Sequence, residues 1–135
     1  MKCILRTDGG ARGNPGPAGI GAVIESEKGE VLETVSKYLG VKTNNQAEYQ
    51  AVIEGLRKCK ELGATAVHVY ADSELLVNQA NGDYKVKNDG LKTLFQEMKN
   101  IESHIGAVRY EHVRREKNLA ADKLANEAMD LGGGA

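Results

Sequence analysis

At 135 residues, 41% hydrophobic and 27% charged, the chain is long enough to bury a core without disulfide or metal staples, and one domain is expected. Its formal net charge of −1 lacks the basic excess of a general polyanion binder, so any nucleic-acid contacts must be local. No apolar run reaches membrane-spanning length and Met1-Lys2 leads straight into a strand-like segment, so no membrane partner and a cytoplasmic setting are expected.

Residues 2 to 8 read as a strand that closes on Asp8. Residues 19 to 39 read as a hairpin, "GIGAVIESE" and "EVLETVSKYL", turning at Lys28 and Gly29. The period then changes. In "TNNQAEYQAVIEGLRKCKELG", Val52, Leu56 and Cys59 recur at helical spacing, Gly63 offers a C-cap, and Thr43 with Gln46 makes a capping box. Cys3 and Cys59 lie in apolar periodic segments with no metal-ligand spacing, and read as reduced core thiols.

"ATAVHVYADS", residues 64 to 73, is a strand ending on Asp72, and "SELLVNQANG" a short helix stopped at Gly82. A further helix spans residues 89 to 103, with Leu91, Leu94, Phe95, Met98 and Ile101 on one side. "AVRYEHV" is the fifth strand and "NLAADKLANEAMDL" the closing helix. Residues 1–131 are read as one domain and 132–135 as a flexible tail. Three antiparallel strands followed by alternating helices and strands predict an α/β fold: a five-stranded mixed sheet covered by helices. Sites in such sheets gather outside the carboxyl ends of the parallel strands.

Four acids stand out. Asp8 and Asp72 close strands. Glu48 shares a helix face with Val52 and Leu56, where a carboxylate is costly unless a cation or hydrogen bonds compensate it. Asp122 lies similarly, three residues after Leu119, three before Ala125 and seven before Met129. Each alone also suits helix capping or a surface position, and Asp72 before "SE" is an ordinary helix start.

Together they can converge on one small volume, where mutual repulsion calls for divalent metal. Oxygen-only ligands favour Mg²⁺ or Mn²⁺. Two such ions about 4 Å apart suit phosphodiester hydrolysis. The glycine-rich stretch after Asp8 then has two readings. As a turn beginning at Gly9 it would admit a nucleic-acid backbone or sugar, with Asn14 adding an amide; otherwise it is a tight connection. No G-x-G-x-x-G occurs, and Ala22 stands where a P-loop needs Lys.

The stretches "TDGGARGNPGPAGIG", "TNNQAEYQAVIEGL", "YADSELLVNQ" and "NLAADKLAN", in this order over almost the whole chain, resemble the four signature blocks of type 1 ribonuclease H. The resemblance implies the ribonuclease H fold and metal-dependent cleavage of the RNA strand of RNA/DNA hybrids, leaving 5′-phosphate and 3′-hydroxyl ends. It implies Asp8, Glu48, Asp72 and Asp122 as the metal-binding carboxylates. Asn14, Asn44 and Asn45 match minor-groove contacts, and Thr43 and Asn88 match a pocket for a phosphate of the DNA strand. A wide minor groove presenting 2′-hydroxyls suits amides, which both donate and accept; capping is the alternative for Asn44 and Asn45.

Two departures from the family pattern stand out. "QANGDYKVKN" replaces a long basic helix and loop, leaving Lys85 and Lys87, so weak substrate grip and a shallow salt dependence are expected. No histidine occupies the connection "VRREKN"; Arg114, Arg115 and Glu116 are the candidates to stand in for it, and a solvated basic turn is the alternative. His68, His104 and His112 are read as structural. A non-catalytic hybrid- or RNA-binding module, and a nuclease that also cuts double-stranded RNA or RNA–DNA junctions, are the alternatives. A monomer is expected.

Overall fold

The structure, a computed structural model, describes residues 1–133. Alternating burial makes the first segment a strand: β1 (Lys2–Ala11) turns Cys3, Leu5 and Thr7 inward and leaves Ile4 and Arg6 partly exposed. It pairs antiparallel with β2 (Gly16–Ser26), which pairs antiparallel with β3 (Val31–Lys42). The second hairpin turns where expected: the Gly29 N–H donates to the Ser26 carbonyl at 2.9 Å.

After β3 come α1 (Asn44–Glu61), β4 (Ala66–Ala71), α2 (Glu74–Ala80), α3 (Asp89–Ile105), β5 (Ala107–His112) and α4 (Leu119–Gly133), with one 3₁₀ turn at Arg115–Lys117. β4 runs parallel to β1, and β5 parallel to β4, giving the strand order β3-β2-β1-β4-β5. The expected mixed sheet is therefore present, with its first three strands antiparallel.

Several element ends shift by two or three residues from the sequence reading, β2 beginning at Gly16 and β3 ending at Lys42, and the shift at the end of β1 bears on the site. β1 does not stop at Asp8. Gly9, Gly10 and Ala11 continue the ladder opposite Ile20, Gly19 and Ala18, so the stretch read as a turn is strand, and the turn is confined to residues 12–15. α4 continues to Gly133, past the expected start of the tail at residue 132. Residues 134–135 lie outside the described residues.

The capping box at the head of α1 is formed. Thr43 Oγ1 accepts from the Gln46 N–H at 3.1 Å, and Gln46 Oε1 accepts from the Thr43 N–H at 2.9 Å. α1 is buried on a broad arc, with Tyr49, Val52, Ile53 and Leu56 at most 1% exposed, because it lies between the sheet and α3. In α3, Leu91, Met98 and Ile101 are buried and Leu94 and Phe95 pack beside them. Tyr49 donates its hydroxyl to Gln79 Oε1 at 2.6 Å inside the core, tying α1 to α2 and satisfying both polar groups.

α4 lies on the opposite face, over β2. Its Ala121, Ala125, Ala128 and Met129 are buried, whereas Leu119 is 60% exposed. Leu119 was therefore a poor guide to the facing of Asp122; Ala125 and Met129 were the right ones. An Ala-rich helix can approach so closely because β2 offers glycine there: a Cβ on Gly21 would overlap the Ala121 carbonyl of α4.

Candidate active site

The parallel pairing of β1 with β4 ends at Thr7 opposite Ala71. Asp8 and Asp72 are the next residues on each chain, so both acids stand just past the carboxyl end of that pair, even though β1 continues towards β2. Glu48 reaches them from the start of α1. That helix descends onto β1 because Gly9 has no side chain; a Cβ there would overlap the Ala47 carbonyl. The Gly9 N–H then donates to Glu48 Oε1 at 2.5 Å, fixing the carboxylate beside the strand end.

Asp8, Glu48 and Asp72 each offer a carboxylate oxygen, and these oxygens lie within 4.8 Å of one another. Asp8 is 9% exposed. Burial first, then Asp72 and Asp122, pushes its carboxyl up to about 8. Burial and the charges of Asp72 and Asp8 likewise raise Glu48 well above the usual carboxylate range, against the lowering effect of the Gly9 N–H bond. Three acids in so small a volume cannot all ionise cheaply unless a counter-charge stands among them. An all-oxygen donor set suits a hard divalent cation. The residues thus fit the metal that the family resemblance implies.

Asp122 is not part of that close set, but it lines the same cavity, of about 320 Å³, together with Asp8 and Asp72. Its position follows from the register. Asp8 pairs with Gly21, and α4 crosses Gly21 at Ala121 and Ala125, which sets Asp122 alongside Asp8. Arg115 lies on the rim, with its guanidinium 3.3 Å from Asp122 Oδ1. Arg114 and Glu116 do not line this cavity.

The candidate substrate residues divide between two places. Asn14, Thr43, Asn45 and Asn88 line one cavity of about 240 Å³. Two helices begin there: Thr43 caps α1, and Asn88 caps α3 by accepting from the Leu91 N–H at 3.1 Å. Two helix N-termini aimed at one space favour an anion, so the caps and the proposed phosphate pocket are the same residues. Asn44 lines the carboxylate cavity instead. Its Oδ1 accepts from the Ala11 N–H at 2.8 Å and its backbone N–H donates to Asn14 Oδ1 at 3.1 Å. The Asn44 amide oxygen is thus already engaged in holding α1 to the first hairpin.

The histidines sit apart from these cavities. His68 stacks on Tyr70 with ring centroids 4.2 Å apart and meets Glu111 at 3.1 Å, and His104 bonds the Asn100 carbonyl within α3. His112 ends β5. A larger depression, of about 470 Å³ and lined by Tyr84, Lys85, Lys92 and Phe95, lies beside the connection from α2 to α3 and contains none of the candidate residues.

Two residues at the site were not singled out from sequence. Arg12 lines the carboxylate cavity and pairs with Asp130 of α4 at 2.5 Å. Asn118 is 1% exposed and donates its side-chain amide to the Thr7 carbonyl at 2.5 Å. The signal for Asn118 was present in "NLAAD", where an asparagine stands four residues before the acid. At that position it also reads as an ordinary helix cap.

Residues 6–128 match a family model described as reverse transcriptase-like. The chain is 44% identical over 131 residues to the bifunctional protein Rv2228c of Mycobacterium tuberculosis, covering 96% of this chain and 36% of that protein. It thus spans just over a third of that relative's length. The N-terminal RNase H domain of that protein, solved as a fusion with maltose binding protein, superposes with a TM-score of 0.94, covering 96% of this chain and 100% of that one. Ribonuclease H of Rickettsia typhi is 32% identical over 143 residues, covering 96% of this chain and 91% of that protein. LC11-RNase H1, isolated from compost by a metagenomic approach and solved in complex with RNA/DNA hybrid, is 47% identical with a TM-score of 0.92, covering 96% of this chain and 97% of that one.

Proposed function

Because this chain belongs to the type 1 ribonuclease H family, we propose that it is an endoribonuclease that hydrolyses the RNA strand of RNA/DNA hybrids, leaving 5′-phosphate and 3′-hydroxyl ends. One observation carries this reading: three carboxylate oxygens from β1, α1 and β4 within 4.8 Å of one another, just past the end of a parallel strand pair.

Asp8, Glu48 and Asp72 would hold Mg²⁺ or Mn²⁺, two ions being expected, with Asp122 alongside. Bound there, hard divalent ions supply a nucleophilic water at neutral pH and stabilise charge on the phosphoryl oxygens. The chain's own groups supply the rest. The Gly9 N–H orients Glu48. Asn14, Asn44 and Asn45 face the minor groove, whose 2′-hydroxyls suit amides, and Gly9, which lines the carboxylate cavity with Asn44, lets the backbone come close. Thr43 and Asn88, at the heads of α1 and α3, receive a phosphate of the DNA strand. Arg115, released from Asp122, offers a cation to the cleaved strand in place of the family's loop histidine; Arg114 and Glu116 act at most through the backbone of the 3₁₀ turn.

No helix among the described residues is long and apolar enough to cross a membrane. Two buried free thiols, Cys3 and Cys59, support a cytoplasmic setting. We take residues 1–131 to act as one domain and as a monomer.

The test uses three labelled substrates with Mg²⁺ and with Mn²⁺: an RNA/DNA hybrid, double-stranded RNA, and a DNA duplex with one ribonucleotide. Cleavage of the hybrid that is lost in Asp72→Asn supports the reading. Binding without cleavage in either metal contradicts it, and cleavage of double-stranded RNA at a comparable rate would broaden the substrate. In the same assay, Arg115→Ala should lower turnover while Arg114→Ala and Glu116→Ala leave it unchanged.

A further inference from the structure

The segment joining β5 to α4 does more than connect them. The Val113 N–H donates to the Ala71 carbonyl at 2.9 Å, and the Asn118 side-chain amide donates to the Thr7 carbonyl at 2.5 Å. Thr7 and Ala71 are the last pair of the parallel ladder, and each immediately precedes a strand-end acid, Asp8 or Asp72. The same six residues therefore grip both strand ends from one side. Asn118 also links this grip to α4: its backbone N–H closes the 3₁₀ turn on the Arg115 carbonyl at 2.9 Å, and its carbonyl accepts from the Asp122 N–H at 3.1 Å. One residue thus touches the backbone next to Asp8 and the backbone of Asp122.

Its chemistry is not that of an ordinary cap. An asparagine at a helix start normally turns its side-chain oxygen onto an N–H of the first turn. Here the amide nitrogen is committed across 111 residues of sequence to β1, and Asn118 Oδ1 is buried with no partner among the described residues. Rotating the amide by half a turn would set that oxygen against the Thr7 carbonyl oxygen, so the nitrogen must face β1. A buried oxygen left without a hydrogen bond is unfavourable. Tolerating it, and giving up the local cap, makes sense if the donor to Thr7 is what the position is for.

We propose that Asn118 is a positioning residue of the carboxylate site: by tying the head of α4 to the carbonyl before Asp8, it sets the spacing between Asp122 and Asp8. This deepens the reading of the site as a metal-dependent nuclease centre and rests on it. Groups that orient metal ligands from behind typically govern affinity by about 10- to 100-fold when removed. Asn118→Asp keeps the shape but replaces the donor by an oxygen facing the Thr7 carbonyl, and Asn118→Ala removes the side chain.

The experiment compares wild type, Asn118→Asp, Asn118→Ala and Ile53→Val, the last a mild core destabilisation away from the site. Mn²⁺ affinity is measured by calorimetry, kcat and KM on a hybrid well below each melting temperature, and amide hydrogen exchange at Val113 and Asp122 in metal-free protein. Both Asn118 variants should bind Mn²⁺ at least about tenfold more weakly and lose kcat, with KM within about twofold of wild type. Their Val113 and Asp122 amides should exchange at least about tenfold faster while core amides remain protected, and Ile53→Val should show none of these changes. Mn²⁺ affinity and kcat within about twofold of wild type, alongside a lowered melting temperature, would overturn the proposal and leave Asn118 a structural tie. A wild type that takes up no Mn²⁺ instead fails the metal reading, and with it this role. Unchanged exchange at both amides overturns the tie itself, whatever the metal does.

Discussion

Replacing Asp8 with Asn should stabilise the metal-free protein near neutral pH and leave it unchanged in acid. Asp8 is 9% exposed, and burial, Asp72 and Asp122 push its carboxyl up to about 8; in the unfolded chain an aspartate ionises near ~3.9. With the folded value above the unfolded one, this group's contribution is fully present below about pH 3.9. It is then lost, by up to about 1.4 kcal/mol per pH unit, as pH rises towards 8. At pH 7, about three units above the unfolded value, the ceiling is ~4 kcal/mol. The replacing amide is itself a polar group left buried, which offsets part of the gain, so ~2 kcal/mol of that ceiling is expected to be recovered on substitution.

At an unfolding entropy of about 2 cal/mol/K per residue, that amounts to a rise in Tm of roughly 7 °C near pH 7 and none near pH 4 for a chain of this length. Scanning calorimetry with a chelator across that pH range measures it. Saturating Mg²⁺ should shrink or reverse the difference: a ligand at a hundred times its Kd stabilises wild type by about 2.7 kcal/mol, and the variant has lost one carboxylate of the site. A gain in Tm that is the same in acid and at neutral pH, or a loss at neutral pH, would refute the argument that burial and mutual repulsion hold Asp8 protonated.

Gly21→Ala places a methyl group against the Ala121 carbonyl and should cost roughly 1–3 kcal/mol by chemical denaturation, with a larger loss of kcat than of substrate affinity because Asp122 moves with α4. Thr43→Ala removes one half of the capping box and should cost about 1 kcal/mol and raise KM, while Thr43→Ser keeps both properties near wild type. The connection from α2 to α3 carries few cations, so log affinity for a hybrid should fall with log salt with a slope of about −3 or shallower. A slope twice as steep would show a basic surface that this reading omits.

The order and type of every strand and helix were legible because the periods are clean: two in "KCILRTD", between three and four in "AEYQAVIEGLRKC". The course of the chain after Asp8 was not. Glycine-rich sequence signals a turn when read locally, and here the glycines lie within strands because two helices must come close. Gly9 admits α1 with Glu48, and Gly21 admits α4 with Asp122. The site was therefore legible through its acids and obscure in what assembles them. Asp122 illustrates the same limit, since Leu119 pointed its face wrongly and only the alanines against Gly21 resolve it. Asn118 escaped notice because a cap and a long-range tie look alike in sequence.

The most direct measurement is anomalous scattering from a crystal grown with Mn²⁺. The account predicts density between the carboxylates of Asp8, Glu48 and Asp72, lost in Asp8→Asn together with cleavage of the hybrid. Density confined to other surfaces, with the hybrid still cut, would contradict it.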